Sequence, residues 1–135
     1  MKEELERNKE IHKLGGNIED DAKELDLHDQ HVVDVKAVTK MIRFKQQLED
    51  LDLSGNKLGN HGAADVASMI IENETIKRLI LNDCDIGSKG LQEIVSALCV
   101  DDNETITYLD IRNNFVPDKH LKMLLVLVYK NRRIQ

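Results

Sequence analysis

Aromatic side chains are scarce in this chain of 135 residues: they make up 3% of it, and tryptophan is absent. A surface that stacks nucleic-acid bases needs aromatic rings, so this composition disfavours single-stranded nucleic acid as a partner. The formal net charge of −6 at pH 7 adds repulsion from phosphate backbones and from anionic lipid surfaces. We therefore expect neither nucleic acid nor a membrane as a partner.

Long apolar runs are also missing. The longest, Met123–Tyr129, has seven residues, whereas a membrane-spanning helix needs about 20. The first ten residues, MKEELERNKE, hold no apolar stretch of the kind found in signal peptides. The two cysteines, Cys84 and Cys99, fall in different parts of the repeat described below, which disfavours a disulfide framework. These features predict a cytoplasmic protein with reduced thiols.

Three segments of the chain repeat one pattern. They are Leu48–Leu58, Ile76–Ile86 and Ile106–Val116, and their starts are 28 and 30 residues apart. Each fits L-x-x-L-x-L-x-x-N/C-x-L, where L stands for any aliphatic residue. A weaker copy, Ala22–Val32, begins 26 residues before the first of them. Four copies in phase predict a stack of repeats, each with one strand and one return segment.

The return segments favour helices, because apolar residues recur four positions apart, as at Val66 and Ile70. With this repeat length, the pattern resembles the ribonuclease-inhibitor-like, long-repeat class of leucine-rich repeats. Tropomodulin and the Ran GTPase-activating proteins belong to the same broad group. In this class the slot after the strand alternates between Asn and Cys. In this chain the slot holds Gln30, Asn56, Cys84 and Asn114. The resemblance implies a curved α/β solenoid with a parallel inner sheet and outer helices.

The predicted architecture is a single domain, 1–135, of about four repeats behind an N-terminal capping helix. The cap is assigned to 1–17, and the repeats to 22–47, 48–75, 76–105 and 106–133. The predicted strands are centred on Leu25–Leu27, Leu51–Leu53, Leu79–Leu81 and Leu109–Ile111. The predicted helices are Val33–Phe44, Gly62–Glu72, Lys89–Cys99 and Asp118–Tyr129. The resemblance implies that these strands pair in parallel.

The residues between the aliphatic slots should point to the concave face, because side chains alternate along a strand. This outward set holds seven acids and two arginines, and three of the acids, Asp26, Asp52 and Asp110, fall in one column that only Ile80 interrupts. Carboxylates at strand spacing repel one another, which favours a docking surface for a basic protein over a merely solvated face. The predicted partner-binding residues are Glu24, Asp26, Asp29, Asp50, Asp52, Arg78, Asp83, Tyr108, Asp110 and Arg112.

Residues that suggest catalysis or metal binding have simpler structural interpretations. Cys84 occupies the Asn/Cys slot, and Cys99 is expected to face the core as a small apolar residue. His28 and His31 flank Asp29, but no second pair of ligands accompanies them. The sequence pattern contains no Ser-His-Asp, paired-Cys, phosphate-loop or metal-ligand constellation. We therefore expect no enzyme activity, no cofactor and no metal.

The last repeat is unusual in two ways. Its predicted strand, Tyr108–Arg112, leaves an open sheet edge, and its predicted helix around Leu121–Tyr129 is apolar on almost every side. One interpretation is that this helix closes the end of the stack by itself. The other is that a second copy or a different subunit covers this end, with Leu125, Val126 and Tyr129 at the interface.

The sequence thus predicts a non-catalytic module that binds a basic protein partner on an acidic concave face. Two alternatives remain open. The chain is a regulator of a GTPase, as the resemblance to the activating proteins suggests, or it is a structural subunit of a larger cytoskeletal or ciliary assembly. A GTP-hydrolysis assay distinguishes the first alternative from a plain binding module.

Overall fold

The computed structural model describes residues 22–32, 34–42, 47–99, 105–120 and 122. Strands and helices alternate along this part of the chain. The strands are β1 (Glu24–Asp26), β2 (Asp50–Asp52), β3 (Arg78–Ile80) and β4 (Tyr108–Asp110). The helices are α1 (Val35–Ile42), α2 (Gly59–Glu72) and α3 (Ser88–Cys99), and a 3₁₀ turn spans Asp118–His120. The predicted cap, 1–17, and the C-terminal interface residues Leu125, Val126 and Tyr129 lie outside the described residues.

The four strands form one parallel sheet in the order β1-β2-β3-β4. Their register places equivalent residues of successive repeats side by side, so that Leu25, Leu51, Leu79 and Leu109 form a continuous row. The predicted α/β solenoid and its repeat phase are therefore confirmed.

The core lies between this sheet and the helices. Leu51, Leu53, Leu79 and Leu81 are each at most 1% exposed, as their slots in the pattern predict. The helices add their own apolar stripes, for example Ile94 and Leu98 of α3. Leu109 of β4 and Ile111 just after it occupy the same aliphatic slots of the last repeat, but they are only partly buried. β2 and β3 each lie between two neighbouring strands, whereas β4 has one neighbouring strand, β3, among the described residues.

The slot after β2, β3 and β4 holds a side chain that links two repeats. Asn56 Oδ1 accepts a hydrogen bond from Val32 N at 3.0 Å, and its Nδ2 donates to Leu27 O and Leu53 O at 2.9 and 2.8 Å. Asn114 does the same two repeats later: its Oδ1 accepts from Ile86 N at 3.0 Å, and its Nδ2 donates to Leu81 O and Ile111 O, both at 2.8 Å. Because backbone groups buried without partners are costly, these asparagines fix the loops between strands and helices.

Asparagine side chains at the two ends of α2 accept hydrogen bonds from nearby backbone N–H groups. Asn60, near the start of α2, accepts hydrogen bonds from Gly87 N and Gly90 N of the next repeat, both at 2.9 Å. At the other end of α2, Asn73 Oδ1 accepts from Thr75 N and Ile76 N, both at 2.8 Å. The Asn-x-Thr sequence at this turn therefore has a structural role.

None of the helices in the described ranges is long and apolar enough to span a membrane.

Candidate protein-docking face

Two rows of side chains cross the concave side of the sheet, because the strands are in register. From β1 to β4, the first row is Glu24, Asp50, Arg78 and Tyr108. The second row is Asp26, Asp52, Ile80 and Asp110. Neighbouring members of a row are about 4.8 Å apart at the backbone, which is the usual strand spacing. This confirms the predicted column of acids and its interruption by Ile80.

The charge is concentrated on the β1 and β2 side of this face. Four carboxylates, those of Glu24, Asp26, Asp50 and Asp52, lie here, and we call them the acidic half. Within the described residues, no lysine or arginine forms an ion pair with any of the four. Together they line a shallow depression with Arg78 and Ile80 at its far side.

Two of these carboxylates are oriented by the backbone that follows them. Asp26 Oδ1 accepts a hydrogen bond from His28 N, and Asp52 Oδ1 accepts one from Ser54 N, each at 2.9 Å. These hydrogen bonds hold the side chains at the carboxyl end of their strands. They do not neutralise the acidic half, because a backbone amide carries no net charge.

Asp110 differs from the other acids of its column. Its Oδ2 lies 2.7 Å from Arg112 Nη2 and accepts a second hydrogen bond from Asn82 Nδ2 at 3.1 Å. The hydrogen bond from Arg112 keeps the pKa of Asp110 below its ordinary value. The side chain is 8% exposed, so its charge is paired rather than presented to solvent, in contrast to the solvent-facing carboxylate that the sequence predicted.

The rest of the β3 and β4 side carries little net charge. The guanidinium of Arg78 lies 4.9 Å from the centre of the Tyr108 ring, which is within range of a cation–π interaction. Ile80 lies between Asp52 and Asp110 in its row and is partly exposed. The predicted face therefore divides into the acidic half and a mixed half, which consists of Arg78, Ile80, Tyr108 and the Asp110–Arg112 pair. In the mixed half, the charge of Arg78 is left over once Asp110 and Arg112 pair.

The remaining predicted acids lie on the loops beyond the strands. Asp29 and Asp83 adopt positive φ angles of 52° and 53°, and Gly55 occupies the same slot with φ 72°. A Cβ atom on Gly55 would lie 1.7 Å from Asp29 Oδ1, so any larger residue there would displace the Asp29 side chain. Asp29 and Asp83 therefore form a rim at the carboxyl end of the sheet, beside the two rows rather than within them.

The structure also brings together a serine, a histidine and an aspartate that are distant in the sequence. His28 Nδ1 lies 2.7 Å from Ser54 Oγ, and His28 Nε2 lies 2.9 Å from Asp29 Oδ2. Ser54, which was predicted to point outward, is 5% exposed, and its hydroxyl donates to Asp52. A buried hydroxyl that is already engaged by a carboxylate is poorly placed to attack a substrate. His28 and Ser54 occupy one slot of consecutive repeats, so the repeat alignment could have paired them.

Cys84 has the structural role that its slot predicts. Its side chain is fully buried, with Sγ 3.3 Å from the carbonyl oxygens of Leu53 and Asn82. Burial raises the pKa of this thiol from 9.0 to about 12. The thiol is therefore protonated at neutral pH and is neither a nucleophile nor a metal ligand there.

The prediction that Cys99 faces the core was wrong, because its side chain is exposed. It follows Leu98, which is 1% exposed on the buried stripe of α3. One residue turns a helix by about 100°, which carries Cys99 off that stripe.

We expect one of the two thiols to react in the native protein. Cys99 should be labelled by a maleimide at the rate of an exposed thiol, whereas Cys84 should react at least about 100-fold more slowly, since labelling requires local unfolding. Mass spectrometry of the labelled native protein measures this, with labelling in denaturant as the control that both thiols are intact. Equal rates for the two cysteines in the native state would show that Cys84 is accessible.

Across the part of the chain that the structure describes, no group of three or more His, Cys, Asp or Glu side chains is placed to hold a metal ion. His31 is exposed and adopts a positive φ of 52° at the turn after β1. His28 points instead towards Ser54 and Asp29.

Known proteins share both the sequence pattern and the fold. The family described as Leucine Rich repeat matches residues 45–67 and 72–95. Ribonuclease inhibitor from Sus scrofa is 32% identical over 89 residues, which are 65% of this chain and 19% of the inhibitor. This chain therefore spans less than a fifth of that relative's length.

Two solved structures have a similar fold. One is described as leiomodin-1 actin-binding site 2, with a TM-score of 0.72 at 21% identity, covering 98% of this chain and 74% of that one. The other is the tropomodulin C-terminal domain of Caenorhabditis elegans, with a TM-score of 0.75 at 12% identity, covering 97% and 78%. The repeat pattern, the parallel sheet and these similarities agree. The chain therefore has a leucine-rich-repeat fold, and the comparisons support the ribonuclease-inhibitor-like class of that fold.

Proposed function

We propose that this chain is a non-catalytic, cytoplasmic protein-interaction module whose acidic half binds a basic surface of a partner protein. The observation that carries the proposal is the cluster of four carboxylates on two adjacent strands, Glu24, Asp26, Asp50 and Asp52, none of which forms an ion pair with a described lysine or arginine. Such a patch attracts cationic side chains and speeds the encounter with a positively charged partner.

The mixed half supports the same proposal, because it offers apolar and aromatic contacts beside the carboxylates. Ile80 is partly exposed, and Tyr108 stacks with Arg78 beside it. Interfaces commonly combine an aromatic or apolar centre with charged residues around it. A partner whose basic residues meet the acidic half would bring apolar or aromatic side chains over Ile80 and Tyr108.

A structural role in a cytoskeletal assembly is the second candidate. It is favoured by the likeness to the leiomodin-1 fragment, whose title describes it as an actin-binding site. That likeness is one of fold, at 21% identity. Co-sedimentation of the purified protein with actin filaments tests this candidate, and the charge-reversal variants described next test whether the acidic half takes part.

Replacing Asp50 and Asp52 by lysine is expected to weaken partner binding mainly by slowing association. Two reversals turn attraction for a basic surface into repulsion, so the association rate constant should fall by about 10-fold or more at low salt. Partners captured from native lysate by the wild-type protein are identified first. Their association kinetics are then measured with purified protein by stopped-flow fluorescence.

The matched control is the double variant Glu74→Lys/Glu93→Lys. It changes the net charge by the same amount, but both side chains are exposed outside the sheet, in the turn before β3 and on α3. The control should bind nearly as well as the wild type, and added salt should weaken wild-type binding. Binding that is insensitive to both salt and the Asp50→Lys/Asp52→Lys change would place the interface elsewhere.

A further inference from the structure

Among the described residues, the edge of β4 lacks contacts that the same residues of every earlier repeat make. Leu27, Leu53 and Leu81 each donate their backbone N–H to the next strand, at 2.8, 3.0 and 2.7 Å from Asp52 O, Ile80 O and Asp110 O. Asp29, Gly55 and Asp83 do the same two residues later, at 3.0, 2.9 and 3.1 Å from Ser54 O, Asn82 O and Arg112 O. The equivalent donors of the last repeat are Ile111 and Asn113. Among the described residues, neither N–H has a partner.

The side chains at this edge show the same difference. Leu79 and Leu81 are fully buried, whereas their equivalents Leu109 and Ile111 are only partly buried. Phe115, in the loop that follows β4, is 73% exposed. Unpaired backbone donors beside half-exposed aliphatic side chains are a template for adding another strand.

The three interfaces between described repeats also define the side chains that this edge would accept. In each repeat-to-repeat contact, the Asn or Cys of the later repeat inserts into the loop of the earlier one. Asn56 bonds to Val32 N and Leu27 O, and Asn114 bonds to Ile86 N and Leu81 O. The corresponding groups of the last repeat are Val116 N and Ile111 O.

We propose that the β4 edge binds, in parallel register, an extended strand with the pattern L-x-L-x-x-N from another protein. The strand's carbonyl groups would accept hydrogen bonds from Ile111 N and Asn113 N. Its aliphatic side chains would cover Leu109 and Ile111. Its asparagine would reach Val116 N and Ile111 O, as Asn56 and Asn114 do within this chain.

A second copy of this chain fits the edge less well. Docked head to tail, it would present β1, whose slot after the strand holds Gln30 rather than Asn. Gln30 is exposed, and its Nε2 already donates to His28 O at 3.2 Å. A strand that ends in asparagine supplies the missing hydrogen bonds without rearranging its own turn.

Amide hydrogen exchange of the full chain, followed by NMR, tests this proposal. The probe is a capped synthetic peptide with the sequence LEDLDLSGNKL, which is that of Leu48–Leu58. In the free protein, Ile111 and Asn113 should exchange far faster than Leu81 and Asp83, whose N–H groups are hydrogen-bonded to β4 residues. Near-saturating peptide should slow exchange at Ile111 and Asn113 by about 10-fold or more.

A matched peptide with alanine in place of the asparagine distinguishes recognition of the asparagine from non-specific hydrophobic binding. It should bind about 10-fold more weakly, since one buried hydrogen-bonding side chain contributes on the order of 1–3 kcal/mol. Three results would overturn the proposal. These are slow exchange of Ile111 and Asn113 in the free monomer, protection that grows with protein concentration alone, and no protection at the highest soluble peptide concentration.

Discussion

Leu79→Ala should lower the free energy of unfolding by about 2–5 kcal/mol, the usual range for truncating a buried leucine. Leu79 is 0% exposed in the third strand, with Leu51 and Leu109 beside it in the sheet. The truncation leaves a cavity where two repeats meet, and neighbouring strands hold the backbone on both sides. A domain of this size has a total stability of only about 5–15 kcal/mol, so the loss is a large fraction of it. Urea denaturation followed by circular dichroism measures the change.

Leu109→Ala is the matched control for this experiment, because it removes the same atoms from the same slot of the last repeat. Leu109 is only partly buried, so its truncation should destabilise the protein clearly less than that of Leu79. An unchanged denaturation midpoint for Leu79→Ala would mean that the repeat phase is wrong. Equal losses for the two variants would mean that the β4 edge is covered.

Asn56→Ala should be similarly damaging, with an expected loss of roughly 3 kcal/mol or more. The side chain is 1% exposed and bonds to Val32 N, Leu27 O and Leu53 O. Its removal leaves Val32 N without its acceptor, and an unsatisfied buried group costs about 1–3 kcal/mol. Leu27 O and Leu53 O keep only the longer contacts with Gln30 N and Cys84 Sγ, at 3.4 and 3.3 Å. Because the bonds join two repeats, the loss should appear in the cooperative unfolding of both.

The control for Asn56→Ala is Gln30→Ala, which changes the equivalent slot of the first repeat. Gln30 is exposed and makes a single hydrogen bond, to His28 O at 3.2 Å, so its loss should change stability by about 0.5 kcal/mol or less. Thermal and urea unfolding of the two variants are compared under identical conditions. If Asn56→Ala were as mild as Gln30→Ala, water would be replacing the side chain in the loop.

The backbone of this protein could be predicted from sequence because the repeat fixes the register of the sheet. Once Leu51 and Leu79 share a slot, the pairing of Asp52 with Ile80 follows without any further information. The role of Asn56 follows in the same way, since buried backbone groups beside a strand end need partners.

The chemistry of individual side chains was less predictable. Asp110 and Asp52 occupy the same slot, yet Asp110 is paired with Arg112 and hydrogen-bonded to Asn82. At the position equivalent to Arg112, the second repeat has Ser54, which turns inward to contact His28 and Asp52. Rotamer choices of this kind depend on which neighbours are close in space. Consequently, the acids of the face cannot be counted as equal charges from the pattern alone.

The most direct test of the proposed function is an NMR titration of the labelled protein with an arginine-rich peptide at low salt. If the acidic half is the docking site, amide shifts should change at Glu24–Asp26 and Asp50–Asp52, with smaller changes at Ile80 and Tyr108. The shifts should be lost in the Asp50→Lys/Asp52→Lys variant and kept in Glu74→Lys/Glu93→Lys. Shift changes confined to α1, α2 and α3, or unaffected by reversing Asp50 and Asp52, would contradict the proposal.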